Sequence, residues 1–307
     1  PHLTVSAEDV CGDRVVRYFV DAYAAGLTPN PCAKCNAQVR FEAMLSVAAR
    51  AGLAWVATGH YARMVGEPRR LARGVDVRKD QSYVLAEVHP RLLEQVLFPL
   101  GEKQKPEVRA LAAQAGLEGA QAAESQEICF VPDDDHRRFL AERLGERPGL
   151  IVDSEGRTKG CHRGTYRFTV GQRKGLGIAA PEPLYVIGVC AERDEVVVGT
   201  AADLQVCRVR VDRLTWHRDL GIGATAKPSG LSAQLRSSGA TYPVEAVEET
   251  GGEMEVVLAT PACGVAAGQT AVLYRDDAVV VAGTITATTP CRPDDEVPRR
   301  EGQGPMI

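Results

Sequence analysis

The 307-residue sequence has no long apolar run. No uninterrupted stretch approaches the roughly 18 residues that a membrane-spanning helix needs, so such a helix is excluded and no membrane partner is expected. It has no basic excess either. Its 36 Lys and Arg against 40 Asp and Glu leave a net charge of −4, so any nucleic-acid site must be a local patch. No signal peptide precedes its nine cysteines, and an odd count argues against a full disulfide framework. Both point to a reducing cytoplasm, where thiols are kept for chemistry or metal. The sequence contains no G-x-x-x-x-G-K-[ST], and GIGATA at residues 221–226 runs into KPSG rather than a helix, so no nucleotide-binding glycine loop is visible. There is no internal repeat, no second C-x-x-C and no H-x-x-x-H.

What is there is a chain long enough for two or three domains, 45% hydrophobic and 25% charged. From about residue 13 to 62 it alternates helix and strand. Val15, Phe19, Val20 and Tyr23 recur at helical spacing before a stop at Gly26, and a second helix runs from Asn36 to a stop at Gly52. LAWVAT then reads as a short buried strand of an open parallel sheet, ending in the loop GHY. Pro106 opens another helix, with Val108, Leu111, Ala112 and Ala115 on one face and Gly116 as its stop, and a further helix follows Asp135. Beyond about residue 150, short β-branched runs at close spacing predict a small β-barrel or sandwich, with a hairpin turning at residues 275–277. The charged, Pro-rich tail at residues 291–307 reads as disordered.

The strongest local signal is TPNPCAKCN at residues 28–36. Cys35 stands just before a helix whose expected cap is Asn36, where the positive end of the helix dipole lowers a thiol pKa. Catalysis or redox, a C-x-x-C metal site through Cys32 and Cys35, and inert thiols all remain open readings. Cys129, flanked by Ile128 and Phe130, reads as a core thiol, and Cys11, Cys161, Cys190, Cys207, Cys263 and Cys291 read as structural or incidental. Gly59 and His60 occupy the loop after a parallel strand, the edge where ligands bind in open α/β sheets. Residues 156–181 hold six Lys or Arg and no acid, with Tyr166 and Phe168 interleaved, a pattern suited to RNA phosphates and unpaired bases.

With TPNPCAKCNAQVRF, ATGHYAR, RKDQSYVL, FPLGEKQKPEVRALA, SQEICFVPDDDHRRFL, GTYRFTVGQRKGLGI and PACGVAAGQTAVLY in order, the sequence resembles the tRNA-specific 2-thiouridylases, the MnmA family. That resemblance implies a PP-loop, Rossmann-type α/β domain of the adenine nucleotide alpha hydrolase-like kind over residues 1–141. A small central tRNA-binding domain (142–203), a C-terminal β-barrel (204–290) and the tail would follow. It implies ATP-dependent, Mg-assisted 2-thiolation of the wobble uridine of tRNAs for Lys, Glu and Gln. Sulfur would come from a donor such as a cysteine desulfurase or sulfur carrier. Cys35 would be the nucleophile and Cys129 the persulfide carrier, with a disulfide between them resolving the reaction. Asn30, Pro31 and Cys32 would contact the target base, Gly59 the ATP, and His60, Lys79, Asp80, Gln81, Arg236 and Gln269 the tRNA. Cys32 stands where many members have Asp, so Cys32, Cys35 and Cys129 could instead hold an iron–sulfur cluster. The family's SGGVDS phosphate loop does not occur, and the sequence opens PHLTVSAEDV without an initiator Met. The expectation is a PP-loop domain that is incomplete, in a thiouridylase truncated at its ATP site, with a noncatalytic tRNA-binding remnant as the alternative.

Overall fold

A computed structural model of the chain describes residues 2–117, 128–217 and 230–291. Two bent helical runs begin it. Helix α1 (Glu8–Cys11) passes through a π-helical turn (Gly12–Val16) into α2 (Arg17–Ala24). Likewise α3 (Pro31–Cys35) continues through a second π-helical turn (Asn36–Arg40) into α4 (Phe41–Arg50). The expected apolar stripe is buried at Val15, Phe19 and Tyr23. Gly26 and Gly52 end the runs with φ of 77° and 70°, the left-handed conformation that a β-carbon disfavours. The second helix starts earlier than expected. Asn30 is its cap, with Oδ1 accepting from the Ala33 amide at 3.2 Å, and Pro31 fills the first turn; Asn36 lies inside the helix and donates to the Val84 carbonyl.

The strand expected from LAWVAT shrinks to β1 (Val56–Ala57). The hairpin β2 (Ala62–Val65) and β3 (Arg70–Arg73), the short helices α5 (Ser82–Leu85) and α6 (Pro90–Leu93), and β4 (Val96–Leu97) follow. Among the described residues β1 pairs only with β4, in parallel, so the open sheet is two strands wide and Trp55 at its edge is half exposed. Helix α7 (Lys105–Gln114) carries the expected proline and a Gln104/Glu107 capping box, but buries nothing. Its stripe of Val108, Leu111 and alanines is too thin to hold a core, and Leu111 is exposed. Asp135 caps α8 (His136–Leu144), whose Phe139 and Leu140 pack with Phe19, Tyr23 and Tyr166.

Next come β5 (Gly149–Asp153), β6 (Thr158–His162), β7 (Tyr185–Cys190) and β8 (Glu195–Gly199). They form one sheet in the order β6-β5-β8-β7, closed over Ile151, Phe168, Val186, Val196 and Val198. The remaining strands are β9 (Gln205–Trp216), β10 (Leu231–Gln234), β11 (Thr241–Thr250), β12 (Glu253–Cys263), β13 (Thr270–Arg275) and β14 (Ala278–Pro290). These six close into a barrel in the order β13-β10-β11-β12-β9-β14, sealed by the β13–β14 hairpin that turns at Asp276 and Asp277. The architecture is thus α/β followed by β structure.

Two features were not expected. The pair Ala278 and Ala72 joins β14 to β3, and one core mixes Phe41, Leu71, Tyr83 and Leu85 with Val272, Tyr274 and Val279, so the helical part and the barrel share a hydrophobic interior. Cys207 and Cys291, read as structural or incidental without a partner assigned, form a disulfide across the two ends of the barrel chain. The rest of the tail, residues 292–307, and the GIGATA segment lie outside the described residues.

Candidate active site

Where α1, α3, the Cys129 segment and the barrel meet, a cavity of about 210 Å³ is lined by four thiols, Cys11, Cys32, Cys35 and Cys129. Its wall also includes Pro31, Asn36, Arg40, His60, Asp80, Gln81, Tyr83, Phe130 and Ser237. Cys129 is exposed, not the core thiol its neighbours suggested, because Ile128 and Phe130 turn into the core beside Phe19 and leave the thiol outward. Cys32 is exposed at the cavity mouth, and Cys35 and Cys11 are half buried. None of the four is in a disulfide.

Cys35 does not stand at the positive end of a helix dipole. The helix begins at Asn30, so Cys35 lies at the end of α3, past the first-turn amides, and its pKa is raised. Burial is the main cause, the thiols of Cys11, Cys129 and Cys32 add to it, and the Arg40 guanidinium opposes it. Burial also raises Cys32, with Cys129 next in weight. Arg40 is therefore the cation that favours thiolate here.

His60 is buried beneath the cavity. Burial, then Arg40, lowers its pKa to about 4, so it is neutral at physiological pH. An Arg40 NH donates to Nε2 at 3.4 Å, and guanidinium has only donors, so Nδ1 carries the proton and donates to Thr58 Oγ1 at 2.8 Å. His60 thus orients Arg40 rather than presenting charge to RNA. Asp80 is also engaged, accepting from Arg73, the Gly74 and Ser82 amides and the Ser82 hydroxyl. Gln81 binds the Tyr61 amide. Gln269 donates to the Thr28 carbonyl at 2.8 Å, and the Thr28 amide donates to Ala267, so this barrel loop clamps the entry to α3. Arg236 is exposed on the β10–β11 turn, beside Ser237, which reaches the cavity.

One tie went unread in the sequence. Lys34, between the two cysteines of C-x-x-C, is buried and bonds Glu87 at 2.6 Å, and the other Glu87 oxygen accepts from Thr270 of β13 at 2.7 Å. A second missed feature is a basic hollow of about 440 Å³ where Arg78 and Lys79 meet Lys105 and Arg109. RKDQSY and KQKPEVR each showed cations, but their meeting is a matter of tertiary structure. Conversely, the 156–181 stretch is less available than its composition suggests. Arg157 and Lys159 pair with Asp153, Arg163 pairs with Glu146, and Tyr166 and Phe168 are buried core rings, so neither can stack on a base.

For ATP, an apolar trough of about 760 Å³ adjoins the thiol cavity, walled by Met44, Leu53, Trp55, Val56 and Ala57. Gly59 lies in the loop two residues beyond the trough's Ala57, and a β-carbon there would meet nothing closer than Leu100 at 3.7 Å. These residues fit the base of a nucleotide but bring no cradle of amides for its phosphates. Among the described residues no three His, Cys, Asp or Glu side chains are grouped to hold a metal ion, and no helix is long and apolar enough to cross a membrane.

Three family models match the chain: a tRNA methyl transferase HUP domain over residues 1–133, a tRNA methyl transferase PRC-barrel domain over 137–200, and an aminomethyltransferase beta-barrel domain over 207–285. The bifunctional protein NifU/MnmA of Rubrobacter xylanophilus is 50% identical over 288 residues, covering 94% of this chain and 57% of that protein. The tRNA-specific 2-thiouridylase MnmA of Heliobacterium modesticaldum is 43% identical over 293 residues, covering 93% of this chain and 75% of its own. That of Mycolicibacterium smegmatis is 43% identical over 282 residues, 89% of this chain and 78% of its own.

Proposed function

The chain belongs to the MnmA family of tRNA-specific 2-thiouridylases, and from that premise we propose that it transfers sulfur to carbon 2 of the wobble uridine of tRNA. The observation that carries the reading is the convergence of Cys35 and Cys129 on one cavity beside Pro31, Cys32 and Ser237. Exposed Cys129 receives sulfur from a donor protein as a persulfide, which needs an accessible thiol. Half-buried Cys35, with Arg40 favouring its thiolate, attacks the inner sulfur of that persulfide. The terminal sulfur leaves to carbon 2, and the two cysteines are left as a disulfide that an external thiol reduces. ATP, when bound, makes the uridine oxygen a leaving group; the apolar trough would hold its base, with Gly59 in the loop beyond β1 as a further contact.

Pro31 and Cys32, with Asn30 fixing their turn, form the wall against which the base would lie. Arg236 and the hollow around Lys79 are the proposed contacts to the tRNA backbone, where point charges suit phosphate. His60, Asp80, Gln81 and Gln269 act one layer behind, holding the loops that carry these groups. The test is nucleoside mass spectrometry of tRNA from cells lacking their own thiouridylase and expressing this chain, with Cys35→Ser and Cys129→Ser beside it. Return of 2-thiouridine that either serine abolishes supports the reading. Bound tRNA without thiolation would instead mark a noncatalytic RNA-binding protein. The iron–sulfur-dependent route through Cys32, Cys35 and Cys129 needs these thiols to draw together. Iron and labile sulfide in anaerobically purified protein would favour it.

A further inference from the structure

Cys11 has no role in the reaction above, yet it stands in the same cavity as Cys32, Cys35 and Cys129. It also lines the neighbouring apolar trough, and of the residues around the thiol cavity only Cys11, Cys35 and Arg40 border both spaces. These three form the partition between them. The placement follows from the two π-helical turns. Cys11 ends α1 directly before one and Cys35 ends α3 directly before the other, and α3 packs against the first turn. Of the three thiols that raise the Cys35 pKa, Cys11 has the largest effect. Both are half buried and neither is bonded.

We propose that Cys11 is a resolving thiol for Cys35, which passes the disulfide left by sulfur transfer out of the RNA-facing cavity to the trough side. This rests on the persulfide reading. The Cys11 thiolate attacks Sγ of Cys35 in the Cys35–Cys129 disulfide; the Cys11–Cys35 bond forms, the Cys35–Cys129 bond breaks, and Cys129 departs as a thiolate. The number of disulfides is unchanged, and the two electrons that finally reduce Cys11–Cys35 come from an external dithiol reaching the trough. Cys129 is thereby free for its next sulfur while RNA still covers the cavity mouth.

The pairing is tested without tRNA. The full chain is oxidised with diamide, alkylated, denatured, digested with trypsin and mapped by mass spectrometry under non-reducing conditions. Cleavage after Arg14, Arg17 and Lys34 puts Cys11, Cys32 and Cys35 on separate peptides. A Cys11–Cys35 linked peptide is expected in the unaltered chain and in Cys129→Ser, and is lost in Cys11→Ser. Recovery of Cys11 wholly alkylated while Cys35 pairs only with Cys129 or Cys32 overturns the proposal. In the thiolation assay, Cys11→Ser should still complete a first turnover and lose the later ones; undiminished later turnovers also overturn it. A chain that forms the linkage but never thiolates tRNA refutes the sulfur-transfer reading while leaving the pairing measured.

Discussion

Lys34 and Glu87 offer the most direct test of how the reactive turn is held. Their side chains are 9% and 7% exposed, and Glu87 spends its second oxygen on Thr270, so the carboxylate ties α3 to strand β13. The Tyr18 ring lies 5.5 Å from the Lys34 ammonium, and burial followed by the Glu87 carboxylate raises its phenol to about 12. Lys34→Met keeps the stem's volume but leaves a buried carboxylate facing one hydroxyl. Removing one partner of a buried pair costs about 3 to 5 kcal/mol. Thr270→Val removes one hydrogen bond to a charged acceptor, about 1.5 to 3 kcal/mol. The double substitution Lys34→Met with Glu87→Leu removes both charges and should recover most of the first loss. Urea denaturation followed by tryptophan fluorescence reads the parent chain, these three variants and Glu87→Leu alone, since Trp55 lies in the helical part and Trp216 in the barrel. Single substitutions costing under about 1 kcal/mol, or a double loss equal to the sum of its parts, would show a solvated pair and sink the argument.

Other outcomes follow from the same geometry. Arg40→Ala removes the cation that opposes burial at Cys35, so the pH midpoint of its alkylation, already above the ordinary thiol value, should move higher; an unchanged midpoint refutes that role. His60 and His217 each have a pKa lowered to about 4, by burial first. The unfolded chain protonates each near 6.5, so their contribution is complete above that pH and is lost as pH falls toward 4. Each is worth on the order of 3 kcal/mol, and His217→Gln should flatten the slope of stability against pH in that window. Arg78→Glu with Lys105→Glu should weaken tRNA binding at all sequences and lower the salt slope by about 1 to 2, whereas equal slopes would move the RNA path elsewhere.

Local conformation was legible where one residue type has one physical reason to be there. Gly26, Gly52 and Gly116 end helices with positive φ, Asp135 caps α8, and the 275–277 hairpin falls where it was expected. The start of the reactive helix was misplaced because two asparagines six positions apart are both good caps. Pro31, tolerated only in a first turn, was the signal that decides between them. The cysteines of the site were found by motif and resemblance, but their electrostatics were not, since the sign of the Cys35 shift depends on where the helix begins. Tyr166 and Phe168 looked like stacking platforms because a basic stretch does not reveal which face its rings take. The Lys34–Glu87–Thr270 tie and the Arg78–Lys105 hollow join segments remote in sequence, and no local pattern announces them.

The loop that seats Thr28 comes 241 residues after it, at Gln269, and Gly268 approaches so closely that a β-carbon there would lie 2.9 Å from the Thr28 amide nitrogen. During synthesis, therefore, TPNPC emerges long before its support exists, and helical parts made early wait for strands made last. The entry to the turn that carries Cys32 and Cys35 is held only once that barrel loop is in place. A nascent chain thus carries all four cysteines of the cavity before the loop that seats Thr28 has been made, and the turn between them is clamped last.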